Sequence, residues 1–400
     1  MMPEGWVKTT LKSLIDIKHG FAFKSENFSD SGRHILMTPG HFYEEGGFRS
    51  QGSKTKYYVG EVPEGYILNK GDVVVAMTEQ AAGLLGSTAF VPENERYLHN
   101  QRLGLIKTID KSKIDINFIY WLYNFKEIRK QISEQASGTK VKHTSPERLK
   151  AVVALLPSVP EQQKISKILS AWDQAVNSTE QLINNSKLQK KSLMQLLLTG
   201  KRRLPGFKED WLEFRLGTLF KERIETETKG LPLLSITSDE GVINRESVGR
   251  KDTSNADKSK YLRICIGDIG YNTMRMWQGV SGLSYHEGIV SPAYTVLTPQ
   301  RGADPLYASY LFKLCSIIYL FSRHSQGMVS DTWNLKYSNF SKIRWLFPDI
   351  NEQKAIATVL STVDQEIEAL QQKLSYLKQE KNALMQQLLT GKRLVKVEAA

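Results

Sequence analysis

The chain has 400 residues and a formal charge of +12, from 54 Lys and Arg against 42 Asp and Glu. That length allows two or three separately cored domains, and the positive balance favours an anionic partner, nucleic acid first. The two cysteines, Cys265 and Cys315, exclude a cysteine-built zinc site within one chain and suit a reducing, cytoplasmic setting.

The opening stretch, residues 1–14, lacks the apolar core of a signal peptide. It carries Trp6, Leu11 and Leu14, a spacing that returns at Trp211, Leu216 and Leu219. Lys70-Gly71-Asp72 then leads into a β-branched strand, Val73 to Met77, and Gly267-Asp268 leads into Ile269 to Asn272. Short strands follow at Leu103 to Ile106 and at Tyr294 to Leu297. Each block next shows a helical period, over Ile116 to Gln131 and Leu306 to Phe321, predicting one helix in each. The apolar run Tyr310 to Phe321 is too short to cross a bilayer and contains Lys313, so it reads as a buried helix and no membrane is expected. A glycine loop follows in each block, at Ser137-Gly138 and Gln326-Gly327. Each block closes on Leu156-Pro157 or Phe347-Pro348.

After each block comes the same segment, Glu161 to Arg202 and Glu352 to Arg393, shifted by 191 residues without a gap. Roughly 19 of about 42 positions agree, far above chance. The first copy places Ile165, Leu169, Trp172, Val176, Ile183, Leu193 and Leu197 on one seam, interrupted by Thr179, Ser186 and Lys190. The second places Ile356, Leu360, Val363, Ile367, Leu370, Leu374, Leu377, Leu384 and Leu388, with one polar gap at Lys381. Steps of four and three are an a/d heptad pattern. Lys190 and Lys381 are equivalent, and their ammonium groups are expected to reach water. Each helix should stop at Thr-Gly-Lys-Arg, where glycine suits a left-handed cap. About 39 residues give a rod of roughly 58 Å. The natural partner of each rod is the other, paired antiparallel, although the heptads alone leave a parallel pairing or an external partner open.

Catalytic motifs are missing. No phosphate-binding G-x-x-x-x-G-K-[ST] or dinucleotide G-x-G-x-x-G occurs, and no Asp/Asn-Pro-Pro-aromatic segment of an amino-methyltransferase. The seven histidines show no metal-ligand spacing. Pro348-Asp349 with Glu352 and Lys354 superficially matches a nuclease pattern, but the gap is too short and the residues open a helix, so all are assigned to capping. No catalytic residue, metal site or bound cofactor is therefore expected. DNA contacts are sought in glycine-bounded loops bearing basic and amide groups: Lys140, Lys142, Arg102, Arg275 and Gln278. Arg and Gln can read base edges, while Lys more often holds phosphate. Trp277, between Arg275 and Gln278, is more readily a core residue than a stacking one.

The paired block starts, the Gly-Asp turns, the Leu-Pro or Phe-Pro approach to Glu-Gln and both Leu-Leu-Thr-Gly-Lys-Arg ends resemble the specificity (S) subunits of type I restriction–modification enzymes. The resemblance covers nearly the whole chain. It implies an α+β fold: mixed target-recognition domains at 1–158 and 206–348, separated by an antiparallel two-helix coiled coil from conserved regions at 159–205 and 349–400. It implies a non-catalytic subunit that reads a bipartite, asymmetric site on double-stranded DNA. Two methyltransferase (M) subunits would bring S-adenosylmethionine, and restriction (R) subunits, joined through them, ATP and Mg. No base-contacting residue is carried over from the family. A coiled-coil adaptor that does not read DNA, or a stand-alone DNA-modifying enzyme, are the competing expectations.

Overall fold

The computed structural model describes residues 3–79, 81–138, 141–226, 230–238, 240–248, 257–329 and 332–397. Two compact units result, one from residues 1–179 with 374–400, the other from residues 180–373. Each unit holds one globule and parts of both long helices.

In the first unit a four-stranded antiparallel sheet has the order Ile15–His19, Leu103–Thr108, Val73–Ala76, Thr88–Phe90. The β-branched run of the central strand is explained by burial on both faces. Val73 and Val75 point into the core shared with the helices, and Val74 and Ala76 into the core under a second, five-stranded sheet. The second unit repeats the four-stranded order with Phe220–Arg223, Tyr294–Pro299, Ile269–Asn272 and Ser281–Leu283. Where the first unit has five strands, the described residues of the second form two pairs, Leu234–Ile236 with Val242–Asn244 and Leu262–Ile264 with Gly288–Val290, linked by a parallel bridge between Leu233 and Ile289. The Gly-Asp turns share one device: Asp72 accepts a hydrogen bond from the Asn69 N–H and Asp268 from the Cys265 N–H, both at 2.8 Å. The opening strand pairs with the strand entering the coil in both units, Val7–Thr10 with Val153–Leu156 and Leu212–Arg215 with Arg344–Phe347.

The single helices predicted at 116–131 and 306–321 are each broken in two. Ile116–Asn124 is followed by Lys126–Glu134, and Pro305–Leu311 by Cys315–His324 at a bend of 80°. The 3.6 period continues through each break, but a side chain there is drawn to main-chain groups elsewhere in the globule, of a strand in the first unit and of a turn in the second. Asn124 accepts from the Thr88 N–H (2.9 Å) and donates to the Thr88 carbonyl (3.3 Å). Lys313 donates to the Gly279 carbonyl at 2.9 Å. Phe125 and Leu314 then turn extended and stay buried. No single described helix is long and apolar enough to cross a membrane.

The repeated segments form helices Val159–Leu197 and Ile350–Leu389. None of the named seam residues is exposed. In the first unit Ile165 and Leu169 share a core with Met385, Leu388 and Leu389. In the second, Leu197 and Leu198 share one with Ile356, Ala357 and Leu360. Beginning meets end in both, so the pairing is antiparallel. Gly200 and Gly391 end the helices at φ 69° and 70°. Gly200 lies against the Trp211 ring and Gly391 so close to Pro3 that a Cβ would meet the proline Cγ.

Two expectations are corrected here. Lys190 and Lys381 do not reach for water; their side chains are only 24% and 17% exposed. Lys190 pairs with Asp364 at 2.6 Å and lies 5.1 Å from the centre of the Tyr310 ring. Lys381 pairs with Asp173 and lies 5.3 Å from the Trp121 ring. Each seam lysine thus joins the opposite helix to an aromatic face of the globule. Glu352, assigned to capping, is instead fully buried: it binds Arg203 through both oxygens (2.6 and 2.7 Å) and accepts from the Trp211 indole N–H (3.1 Å). Asp349 does cap, accepting from the Asn351 and Glu352 N–H groups.

The globules are fixed to the coil by two buried glutamines. Gln162 accepts from the Asp115 N–H (2.8 Å) and donates to the Lys113 and Pro157 carbonyls (3.0 and 2.9 Å). Gln353 accepts from the Asp304 N–H (2.9 Å) and donates to the Gly302 and Pro348 carbonyls (2.8 and 2.9 Å). Asp115 and Asp304 are themselves the caps of the first globule helix.

Replacing either glutamine by alanine strands an N–H and two carbonyls away from water. Chemical denaturation of Gln162→Ala and Gln353→Ala should show losses of about 2–4 kcal/mol; losses under about 0.5 kcal/mol in both would mean that the clamp does not hold the globules. A double-mutant cycle on Asp173 and Lys381 should return a coupling of about 1 kcal/mol, reported by the same unfolding curves, against zero if the lysine is effectively solvated.

Candidate nucleic-acid interface

In each unit the loop after the central strand meets the glycine loop after the helix pair. In the first unit Met77 donates its N–H to the Arg102 carbonyl (2.9 Å) and accepts from the Thr144 N–H (3.0 Å). Two residues on, the Glu79 N–H donates to the Lys142 carbonyl at 2.9 Å. Thr78 Oγ1 and His143 Nδ1 lie 3.2 Å apart. Ser137 and His143 exchange backbone hydrogen bonds that close the loop. Gly138 is required within it: φ is 103°, and a Cβ would meet the Val141 carbonyl oxygen at 2.2 Å. Arg102 and Lys142, 40 residues apart in sequence, therefore stand exposed on one loop cluster. Lys142 Nζ donates to Ser133 Oγ at 2.9 Å. Lys140 lies outside the described residues.

The second unit builds the corresponding cluster differently. The Leu335 N–H donates to the Thr273 carbonyl (2.8 Å), and the Thr273 N–H to the Ala293 carbonyl (3.2 Å). Gln326 and Asn334 exchange backbone bonds as Ser137 and His143 do. Between Asn272 and Gly279 the chain makes a tight double turn, with the Arg275 N–H bonded to the Asn272 carbonyl and the Gln278 N–H to the Arg275 carbonyl. Met276 is buried and anchors the turn, while Arg275 and Gln278 point outward, exposed. Trp277 is half-buried rather than core. Its indole donates to the Met274 carbonyl (3.0 Å), and its ring meets Trp333 edge-on at 5.4 Å.

All four described candidates thus fall on equivalent clusters, Arg102 with Lys142 and Arg275 with Gln278. The sequence did not single out Trp333 or the exposed Met274 and Met328 that accompany them. Met328 stands directly after Gly327 in a loop already noted, a signal that was available. Trp333 becomes visible only through its contact with Trp277. Among the described residues no group of three or more His, Cys, Asp or Glu could hold a metal ion.

The model of the type I restriction modification DNA specificity domain matches residues 3–187 and 208–379. The chain belongs to this family. It is 26% identical over 205 residues to the type I restriction enzyme MjaVIII specificity subunit of Methanocaldococcus jannaschii, covering 51% of this chain and 48% of that one. With the EcoBI specificity subunit of Escherichia coli it shares 27% over 179 residues, 44% of this chain and 34% of that one. These alignments span half or less of the relatives' length. A longer one, 25% identical over 362 residues, covers 83% of this chain and 80% of the putative MjaX specificity subunit of M. jannaschii. Among solved structures, a type I restriction–modification S subunit from M. genitalium has the same fold, with a TM-score of 0.59 and 17% identity over 97% of this chain and 99% of that one. A chain from a structure concerned with complex assembly and conformational transition of the type I R-M system gives 0.57 and 17%, over 98% and 100%.

Two histidines of the first unit are buried. His99, next to Asn100 and Arg102, has its Nε2 3.0 Å from the Leu103 carbonyl, and His41 lies against Phe48 and Tyr97. Burial pushes both imidazoles down to about 4. The unfolded chain then binds more protons than the folded one between about pH 6.5 and 4. Their contribution to stability is complete above pH 6.5 and is lost as pH falls through 4, on the order of 3 kcal/mol for each group. Unfolding free energies measured across this window should drop more steeply in the native chain than in His99→Phe; equal slopes would show that His99 is not held neutral.

Proposed function

We propose that the chain is the DNA-reading, non-catalytic component of a type I restriction–modification complex. Each unit reads one half of a split, asymmetric site on double-stranded DNA through its loop cluster. The antiparallel helices support two methyltransferase subunits, which carry S-adenosylmethionine. Restriction subunits, held through them, supply ATP- and Mg-dependent chemistry, and the whole complex works in the cytoplasm.

One observation carries this reading. The same loop cluster is built twice on the same sheet order, yet its exposed side chains differ: Arg102 and Lys142 in one, Arg275 and Gln278, beside a half-buried tryptophan pair, in the other. A repeated scaffold with divergent exposed loops is what two readers of different base sequences need. Family membership and the positive charge support it. Arg275 and Gln278 have the chemistry to read guanine and adenine edges, and Lys142 that of a phosphate contact.

A base-resolution adenine-methylation map tests the proposal, comparing cells that express this chain and its methyltransferase partner with cells lacking only this chain. A split, asymmetric motif should vanish with the chain; an unchanged map with active methyltransferase sinks the proposal. Arg275→Ala should relax one half of the motif by about 1–3 kcal/mol at one base pair. Lys142→Ala should instead weaken binding to all sequences and flatten its salt dependence by about one ion.

A further inference from the structure

We infer that Arg129 in the first unit and Lys313 in the second are positioning residues. Each pins, through hydrogen bonds to main-chain carbonyls, the loop that orients the exposed reading side chains. The inference rests on the function proposed above.

Arg129 projects from the helix Lys126–Glu134. Its guanidinium donates to the carbonyls of Leu85 (2.8 Å), Glu44 (3.1 Å) and Gly83. The Gly83 N–H donates to the Glu79 carboxylate (2.9 Å), and the Glu79 N–H to the Lys142 carbonyl. Arg129 thereby reaches Lys142 through three hydrogen bonds, by way of Gly83 and Glu79, and Met77 at the start of the same loop donates to the Arg102 carbonyl. Burial lowers its pKa to about 10, which leaves it charged at neutral pH.

Lys313 stands at the break between Pro305–Leu311 and Cys315–His324. Its ammonium donates to the carbonyls of Gly279 (2.9 Å) and Ser238 (3.0 Å). Gly279 closes the turn that displays Arg275 and Gln278, its N–H bonded to the Met276 carbonyl.

The two loops lie equally close to their helices. Gly86 and Gly279 have φ of 79° and 80°, and a Cβ on either would meet an isoleucine Cδ1, of Ile132 or Ile318, at 2.7 Å. Loops pressed this tightly turn carbonyls inward, where no strand can pair them. A charged donor satisfies such carbonyls more strongly than a neutral one, and a guanidinium can hold three at once. Base discrimination needs side chains held to a fraction of an ångström, so a loop released from its pin loses selectivity before it loses phosphate contacts.

The test is the same methylation map, made with the full chain and its methyltransferase partner in cells. Arg275→Ala first identifies the half-site read by the second unit. Lys313→Gln should then raise methylation at sites mismatched in that half by about tenfold, the scale of a weakened single-base penalty, and leave the other half stringent. Arg129→Gln should do the converse. Lys313→Arg, which keeps a charged donor, should restore stringency. Unchanged halves, joint relaxation of both, or loss of all methylation would each overturn the inference, the last because it would make the side chain a general requirement for folding. A native chain that yields no split motif fails at the earlier step and removes the basis for this one.

Discussion

Two buried carboxamides hold this architecture together. Gln162 and Gln353 each tie three pieces of chain: a coil helix, the carbonyl of the proline before it, and the capped start of a globule helix. A primary amide suits this place because it accepts and donates at once without charge. Glutamate would lose both donors, and a hydrophobic residue would strand three main-chain groups. The seam lysines add a second fixed point deeper along the coil, where a helix-to-helix ion pair sits under a ring of the globule. Amide and lysine together set the direction in which a globule leaves the helices of its own unit.

Against this constant frame the sheets vary. The central strand keeps its place in both units, buried on two faces, but what covers its outer face differs. In the first unit five strands, one pair of them parallel, build that layer. In the second it is made from one hairpin, Leu234–Ile236 with Val242–Asn244, and one pair of strands distant in sequence, Leu262–Ile264 with Gly288–Val290. The amide clamps take no partner from the variable layer or the exposed loops, so substitutions there remove none of the clamps' hydrogen bonds.

How much of this could be read from the sequence depends on the range of the interaction concerned. The coil seam, its glycine stops and the Gly-Asp turns rest on local periods or on residues a few positions apart, and these are readable; the order of strands within each sheet is not, because it joins segments as distant as Ile15–His19 and Leu103–Thr108. The helix breaks were not, because the pull on Asn124 comes from Thr88, 36 residues earlier. Lys190 looked solvated because its acceptor, Asp364, lies on the other copy of the repeat. Glu352 looked like a cap because Arg203 and Trp211 are more than 140 residues away. The candidate site shows the same limit. Arg102 and Lys142 belong to separate loops in the sequence, and the hydrogen bonds of Met77 and Glu79 bring them onto one cluster.

The glycine ends of the coil helices have one more consequence. Gly200 rests on Trp211, a few residues along an unbroken chain, and Gly391 rests on Pro3, with no peptide bond joining them. One is a covalent turn and the other a contact between distant sequence positions, yet both close a coil helix onto the start of a block. What the two corners share is the contact, not the peptide link. A circular permutant that joins residue 397 to residue 3 by a short linker and opens between 203 and 211 cuts the chain at no residue of the Gln162, Gln353, Lys190 or Lys381 contacts; it would move the break from one corner to its equivalent.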